Sequence, residues 1–281
     1  MSSLYPDFSS PELVGSGRVV LILEYDGSCY HGWQAQKTGV IGVQQRLQEA
    51  LACVAGHSVE VVCAGRTDAG VHGSYQVVHF DTEVLRTTKS WVMGANANLP
   101  DDISVLWVSN ISADFHARFT AVARRYRYVI YNHPVRPAGM RKSVTWNYRP
   151  LDADKMHSAA QCLIGEHDFT SYRAVGCQSK TPFRCVEHLR VKRLGNLVVI
   201  DIQANAFLHH MVRNIAGVLM TVGAGKAPES WVQQVLQAKD RTQGGVTAHP
   251  YGLYLVDVIY PSIYQIPKWS TGPAFIDAFN L

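Results

Sequence analysis

The sequence predicts an α+β fold made of two halves that share one order of elements, β-α-β-β-α-β. This order occurs twice along the chain, and the helical runs carry apolar residues at helical spacing. The chain has 281 residues, 47% of them hydrophobic and 17% charged, so it can bury a sizeable core. We therefore expect antiparallel sheets with helices on one face.

The first half places one clear helix between strand-like runs. Val43, Leu47 and Leu51 mark its apolar face, and Gly56 follows as a C-terminal stop. The predicted elements, in order, are strand 18–25, helix 42–55, strands 58–64 and 75–80, a short helix at about 88–98 and strand 104–109.

The second half repeats this order with one additional helix. Asp152 and Asp154 suit the first turn of a helix, because acidic side chains favour the positive end of the helix dipole. Gly195-Asn196 marks a hairpin turn. The predicted elements are strand 125–131, helix 152–164, strands 187–193 and 197–204, helices 206–222 and 229–239, and strand 253–260.

Four segments are expected along the chain. They are a flexible tail of residues 1–17, an N-terminal half of residues 18–112, a C-terminal half of residues 113–260, and an extension of residues 261–281. The extension carries three prolines, which is typical of irregular structure.

The cysteine pattern and the polarity of the chain predict a cytoplasmic protein. The six cysteines show no C-x-x-C spacing, so we interpret them as reduced thiols. The N-terminus lacks the basic and apolar runs of a signal peptide. The most apolar stretch, residues 206–223, is interrupted by Arg213 and Asn214 and is too short to span a bilayer.

Positive charge is concentrated in two stretches without acidic residues. The formal net charge is only +4, so the distribution of charge is more informative than the total. Residues 115–149 and 169–186 contain arginines and lysines but neither Asp nor Glu, and aromatic residues are interleaved through the first stretch. Basic side chains neutralise phosphates and aromatic rings stack on bases, which favours nucleic-acid binding. A solvated basic face with ordinary core aromatics is the alternative.

The strand at 125–131 divides its side chains between two faces. Tyr126 and Tyr128 share one face, and Arg125 and Arg127 share the other. A tyrosine in such a strand is more commonly a core residue than a ligand-binding one, so the pattern alone does not assign Tyr126 to a site.

The segment CAGRTDAGVHG, residues 63–73, is the strongest candidate for a catalytic loop. Its glycines allow sharp turns and the close approach of a partner. If the backbone from Arg66 to Asp68 is extended, both side chains point the same way and the arginine favours the ionised carboxylate. Such a carboxylate can act as a nucleophile or a base. A structural Arg–Asp pair in a tight turn is the alternative.

GRTDAGVH, at 65–72, resembles the signature of the TruA-type tRNA pseudouridine synthases. Further blocks resemble the same family in the same order and extend over about residues 18–260. They are EYDGSCYHGWQAQ at 24–36, NANLPDDI at 96–103, FHARFTAVARRYRYVIYN at 115–132, GEHDFTSYRA at 165–174, NAFLHHMVRNIAG at 205–217 and GLYLVDVIY at 252–260.

The resemblance implies the pseudouridine-synthase fold, in which two ferredoxin-like halves form a mixed, mainly antiparallel sheet with a central cleft. It also implies a homodimer that binds tRNA across both subunits. The implied reaction is the isomerisation of uridine to pseudouridine in the anticodon stem-loop, at the conventional tRNA positions 38, 39 and 40. This reaction gains and loses no atom, so neither a cofactor nor a metal is expected.

The resemblance also implies roles for single residues. Asp68 matches the catalytic aspartate, and Arg66 matches the arginine that helps to hold the target nucleotide flipped out. Tyr126 matches the tyrosine that packs on the target base, and Leu253 matches a leucine of the same pocket. The residues that match tRNA-contacting positions are Phe115, His116, Ala117, Arg118, Phe119, Gly176, Cys177, Gln178, Ser179 and Lys180.

Two other classes of protein remain as alternatives. A non-catalytic tRNA-binding module would explain the basic stretches but would not need the Asp68 loop. A carboxylate-dependent hydrolase would explain Asp68 but not the basic stretches, and it usually needs a second carboxylate. A metal site is not expected, because Glu166-His167-Asp168 and His209-His210 lack zinc-type spacing.

Overall fold

A computed structural model describes residues 12–34, 39–269 and 272–277. Within these residues the chain forms twelve strands, which are β1 (Leu13–Val14), β2 (Gly17–Tyr25), β3 (Val62–Cys63), β4 (His72–Thr82), β5 (Arg86–Thr87), β6 (Ile103–Asn110), β7 (Ala123–Asn132), β8 (Thr145–Asn147), β9 (Gly165–Asp168), β10 (Phe183–Leu194), β11 (Leu197–Ala204) and β12 (Leu253–Ile259). The α-helices of the same residues are α1 (Val43–Ala55), α2 (Thr88–Asn98), α3 (Ala153–Ala160), α4 (Met211–Gly223), α5 (Ser230–Ala238) and α6 (Ala274–Asp277).

These elements belong to two compact units. The described residues of the first unit lie within Met1–Val122 and Leu255–Ala278, and those of the second lie within Ala123–Tyr254. The expected boundary between the halves follows residue 112, whereas the first unit continues to Val122. The chain also re-enters the first unit at Leu255, ahead of the expected extension.

The sheet of the first unit has the strand order β6-β2-β4-β12, and β3 pairs with part of β4. The pairings of β2 with β4 and with β6 are antiparallel. Leu21 and Leu23 of β2 join Leu47 and Leu51 of α1 and Trp91 of α2 in one core cluster. The apolar face predicted for α1 is therefore the face that the helix buries.

Residues near both ends of the described chain pack into the first unit. β1 pairs antiparallel with β5, and the indole nitrogen of Trp91 donates to Val14 O (2.9 Å). The expected flexible tail therefore contains a short strand, while its residues 1–11 lie outside the described part of the chain. From the expected extension, Pro267 O accepts a hydrogen bond from the Tyr75 hydroxyl of β4.

The sheet of the second unit has the antiparallel order β7-β11-β10-β9, with β8 parallel to β7. Leu194 of β10 pairs with Leu197 of β11, which confirms the hairpin predicted at Gly195-Asn196. The apolar helix α4 buries Ile215 and Leu219 completely. In the described parts of the chain, no helix has both the length and the apolar character needed to cross a membrane.

The structure differs from the predicted elements at several places. The short strands β1, β5 and β8 were not predicted, the helix predicted at 152–164 ends at Ala160, and three further differences have a local cause. The strand predicted at 58–64 is reduced to β3, whose two residues pair with His79 and Val78. The helix predicted to begin at 206 begins at Met211, because His210 has φ 61° and a left-handed residue cannot continue a right-handed helix. β9 was not predicted, since its polar residues show no apolar alternation.

Candidate active site

Asp68 lies on the irregular loop that joins β3 to β4. Within this loop Thr67 is buried, Asp68 is half-buried and Arg66 is exposed. Val71 N donates to Asp68 O (3.1 Å) and closes the turn. The carboxylate therefore has partial access to solvent, on a turn whose backbone leads directly into β4.

The segment between β2 and α1 holds this loop on one side. Trp33 N donates to Thr67 O (3.0 Å), and the Tyr25 hydroxyl is hydrogen-bonded to Thr67 Oγ1 (2.9 Å). No role was predicted from the sequence for Tyr25 or Trp33. The available signal was the block at 24–36, which resembles the same family as the loop itself.

Gln76 of β4 holds the other arm of the loop. Its side-chain amide donates to Gly65 O (2.7 Å) and accepts from Gly65 N (3.4 Å), and the side chain is fully buried. Ala64 N donates to Val77 O (2.8 Å) beside it. The backbone on both sides of Asp68 is thus hydrogen-bonded to rigid elements, which fixes the position of the carboxylate.

Gly32 permits a close approach of the two segments, and its replacement by alanine should disturb the loop. Its φ is 93°, and a Cβ there would lie 2.6 Å from Thr67 O. We expect Gly32→Ala to lower the free energy of unfolding by about 3 kcal/mol, from left-handed strain plus the clash. Turnover should fall as well, because Thr67 precedes Asp68. Urea unfolding and single-turnover assays measure the two effects.

Gly39→Ala is the matched control for this prediction. Gly39 also has a left-handed φ, 77°, but among the described residues no atom lies within 4 Å of the point that a Cβ would occupy there. We expect a loss of only about 1 kcal/mol and unchanged turnover. Equal losses of stability in both variants would show that the approach of Gly32 to the loop is unimportant.

Asp26 and His72 connect the end of β2 to the end of the loop. The carboxylate of Asp26 lies 3.0 Å from His72 Nδ1, and Ser28 N donates to it (2.9 Å). The hydrogen bond with His72 lowers the pKa of the Asp26 carboxyl. A carboxyl whose pKa is depressed by folding stabilises the protein at neutral pH, and this contribution is lost as the pH falls through that pKa.

The charge around the base of the loop is positive. Burial raises the pKa of the Cys63 thiol to about 12, and the positive charges of Arg66 and Arg118 act in the opposite direction. The thiol of Cys63, at the base of the loop, is therefore subject to the positive charges of both Arg66 and Arg118.

The predicted tRNA-contacting segment 115–119 belongs to the same unit as Asp68. Phe115 and Ala117 are fully buried, while Arg118 is exposed and Phe119 is 75% exposed. The guanidinium carbon of Arg118 lies 5.5 Å from the centre of the Phe119 ring. The segment therefore presents an aromatic ring and a positive charge to solvent from a buried base.

His79 of β4 supports this segment from inside the unit. Ala117 N donates to His79 Nδ1 (3.1 Å), so this nitrogen must be unprotonated. Burial, together with the positive charges of Arg18 and His116, lowers the pKa of His79 to about 4, and the charge of Asp81 acts in the opposite direction. His79 is therefore neutral at physiological pH.

Acidification should destabilise the protein through His79. Its folded-state pKa lies below the ordinary value of 6.5, so protonation favours the unfolded chain as the pH falls from 6.5 towards 4. We expect the free energy of unfolding to fall by about 1–2 kcal/mol between pH 7 and pH 5 through this group. Urea unfolding at both pH values measures the difference. His79→Asn cannot titrate, so an equal difference in that variant would exclude His79 as the cause.

Tyr126 and Leu253 belong to the second unit. Tyr126 is 8% exposed on β7, and its ring meets the ring of Phe207 edge to face at 5.0 Å. Leu253 begins β12 and is 5% exposed. Both side chains are mostly buried, which is compatible with a pocket wall, and their contact with a target base remains a prediction.

The predicted segment 176–180 is shaped by arginines of its own basic stretch. Arg173 donates to Cys177 O (2.7 Å) and Ser179 O (2.8 Å), and Arg184 donates to Ser179 Oγ (2.6 Å). Lys180 is exposed. Arg173 and Arg184 thus stabilise the fold of this segment, and Lys180 is presented to solvent.

Arg125 and Arg127 are engaged within the protein. Arg125 binds both carboxylate oxygens of Asp201, each at 2.6 Å, and Arg127 Nε lies 3.2 Å from the same carboxylate. Arg127 and Asp201 are 4% and 3% exposed. β11 thus supplies an acidic partner to a basic stretch that contains no Asp or Glu of its own. Because Arg118 is exposed, it is a better candidate for a phosphate contact than Arg125 or Arg127.

The family model for tRNA pseudouridine synthases matches residues 21–120 and 159–261 of this chain. The chain belongs to the tRNA pseudouridine synthase family, as its resemblance to these enzymes implied. Its α+β fold, with a large mixed sheet, is the fold expected for the family.

Three relatives extend the comparison to almost the whole chain. The chain is 58% identical to tRNA pseudouridine synthase A of Pseudomonas aeruginosa, over 96% of this chain and 95% of that protein. It is 59% identical to the Escherichia coli protein of the same name, over 92% and 96%. It is 56% identical to that of Coxiella burnetii, over 92% and 99%. The chain is therefore an isomerase that converts uridine to pseudouridine in tRNA.

Proposed function

We propose that this protein modifies uridines 38, 39 and 40 in the anticodon stem-loop of tRNA, with Asp68 as its catalytic carboxylate. The observation that supports Asp68 is its half-buried position on a loop whose backbone is held by Trp33 and Gln76. A carboxylate fixed in this way can meet a reacting sugar or base without first reorganising.

The reaction breaks the C1′–N1 bond, turns the uracil and joins C1′ to C5, so the proton at C5 finally moves to nitrogen. The target nucleotide first leaves its stack, at a cost of a few kcal/mol. Arg66 then holds the flipped nucleotide, and Tyr126 and Leu253 form the pocket for its base. Asp68 either attacks as a nucleophile or removes a sugar proton.

Recognition of tRNA is assigned to the segments 115–119 and 176–180. Support comes from the exposure of Arg118, Phe119 and Lys180, which offer two positive charges and one aromatic ring. We also infer a cytoplasmic homodimer with tRNA bound across both subunits. No disulfide bond joins the six cysteines, all of which lie within the described residues, and such cysteines are typical of a reducing compartment. Light scattering of the protein with and without tRNA measures both stoichiometries.

Conversion of unmodified tRNA tests the proposed function. The purified protein is incubated with transcripts that carry uridine at one of the three positions, and pseudouridine is mapped chemically. We expect product at each position and none in a transcript with cytidine there. Product only outside the anticodon stem-loop would overturn the proposed substrate site, and binding without product would favour a non-catalytic module.

Loss of the Arg118 charge should weaken tRNA binding and reduce its salt dependence. Each phosphate contact contributes about 1 to the slope of log affinity against log salt concentration. We therefore expect Arg118→Gln to lower this slope by about 1. Arg46→Gln is the control, because Arg46 lies on the surface of α1 and pairs with Glu49. An unchanged slope for Arg118→Gln would remove this residue from the binding surface.

A further inference from the structure

We propose that His79 is a positioning residue for tRNA binding, which fixes the segment 115–119 relative to the catalytic loop. The inference rests on the proposed role of that segment in tRNA recognition. It adds a residue that does not touch tRNA and acts through the backbone of residues that do.

His79 is attached to both arms of the catalytic loop. It lies on β4, the strand that leaves the loop, and is 4% exposed. Its register partner is Val62 of β3, the strand that enters the loop. A displacement of His79 relative to the loop would therefore break strand pairing on both sides of Asp68.

The imidazole of His79 binds the segment at its buried centre. Ala117 N donates to Nδ1 at 3.1 Å, and the ring meets Phe115 edge to face at 6.1 Å. Since Nδ1 is the acceptor, the neutral ring carries its hydrogen on Nε2. Tyr260 donates its hydroxyl to Ala117 O (2.6 Å). Both backbone polar groups of Ala117 are thus bound by side chains of the first unit.

A second histidine, His116, connects His79 to the exposed residues Arg118 and Phe119. His116 lies 4.8 Å from His79, ring to ring, and its Nδ1 accepts from Arg118 N and Phe119 N, each at 3.2 Å. Its ring is stacked on the ring of Phe119 at 4.3 Å. The orientation of the exposed Phe119 ring and the direction of the Arg118 backbone therefore depend on His116, which packs against His79.

Arg18 supports the same segment from β2. Its guanidinium donates to Ala113 O (2.8 Å) and Phe115 O (2.7 Å), and it pairs with Asp81. Arg18 reaches the start of the segment, whereas His79 binds its centre and contacts both Phe115 and His116. We therefore assign the positioning of Arg118 and Phe119 to His79.

Two isosteric substitutions separate positioning from simple packing. In His79→Asn the amide can place its oxygen where Nδ1 lies, so Ala117 N keeps an acceptor. In His79→Gln the amide lies one carbon farther from the backbone, near the position of Nε2, and the acceptor is misplaced. Asn and Gln are both polar and of similar size. A loss of tRNA binding that is caused only by poorer packing would therefore be similar in the two variants.

We expect His79→Gln to raise both the Kd and the KM for tRNA by about tenfold, the effect of one buried donor left without its acceptor. The kcat should stay within about twofold of the wild type, because Asp68 is not moved. His79→Asn should restore Kd and KM to within about threefold. Equal impairment of both variants, wild-type binding in both, or a loss confined to kcat would each overturn the proposal.

Two further measurements keep the test decisive. If His79→Gln does not fold, amide hydrogen exchange of the wild-type protein replaces it. We expect the Ala117 amide to exchange as slowly as the paired amides of β4, because it donates to the buried Nδ1 of His79. Exchange at the rate of an exposed amide overturns the proposal. Arg118→Gln and Phe119→Ala separate the role of the segment from the role of His79. Normal tRNA binding by both variants refutes the role of the segment. Weakened binding by either of them, together with normal binding by His79→Gln, refutes only the role of His79.

Discussion

Replacing Asp68 with alanine should abolish pseudouridine formation and leave tRNA binding nearly unchanged. The carboxylate is the group assigned to attack or to deprotonate the substrate, and such groups contribute about 10²–10⁴-fold or more to the rate. We expect a loss of at least about 10³-fold in single-turnover conversion. The Kd for tRNA should stay within about threefold, because the phosphate contacts are proposed on other segments.

Asp68→Asn and Asp101→Asn sharpen this test. The first keeps the size of the side chain and removes only its charge and basicity, so it should be as inactive as the alanine variant. The second changes an exposed aspartate of the same unit and should keep full activity. Conversion by Asp68→Asn at the wild-type rate would show that Asp68 is not the catalytic carboxylate.

Replacing Asp201 with alanine should cause the largest loss of stability. Its carboxylate neutralises the buried Arg127 and binds Arg125 through two hydrogen bonds. Removal of this carboxylate would leave Arg127 charged and, at 4% exposure, largely shielded from water. Breaking a buried ion pair in this way costs about 3–5 kcal/mol.

The ion pair between Arg46 and Glu49 provides the control for this prediction. The two side chains lie on the surface of α1 and are 39% and 50% exposed. Glu49→Ala should therefore change the free energy of unfolding by about 0.5 kcal/mol or less. Urea unfolding followed by circular dichroism measures both variants at neutral pH. Similar losses for Asp201→Ala and Glu49→Ala would show that water or rearrangement compensates the buried arginines.

The sequence was sufficient to predict elements that depend on local patterns. Helix α1 follows from the spacing of Val43, Leu47 and Leu51, and the hairpin of β10 and β11 follows from Gly195-Asn196. The loop of Asp68 was a candidate site because glycines and charged residues are concentrated within a few positions, while its catalytic role was implied by the family resemblance and stays a prediction. In each case the determining residues are close together in sequence.

Features that depend on distant residues could not be predicted in this way. Asp201 lies more than 70 positions after Arg125 and Arg127, so the basic stretch appeared to consist of available cations. The support of the segment 115–119 by His79 and Tyr260 likewise joins residues from three separate regions of the chain. Such contacts arise from strand order and register, which the local pattern does not specify.

The return of the chain to the first unit has a consequence for biosynthesis. β12 is the neighbour of β4 in the sheet, but residues 123–254 must be translated before it leaves the ribosome. Until then β3, with only two residues, covers part of that edge of β4. Nascent chains that stall before residue 255 would carry an open strand edge next to the catalytic loop, and such edges attract chaperones or promote aggregation.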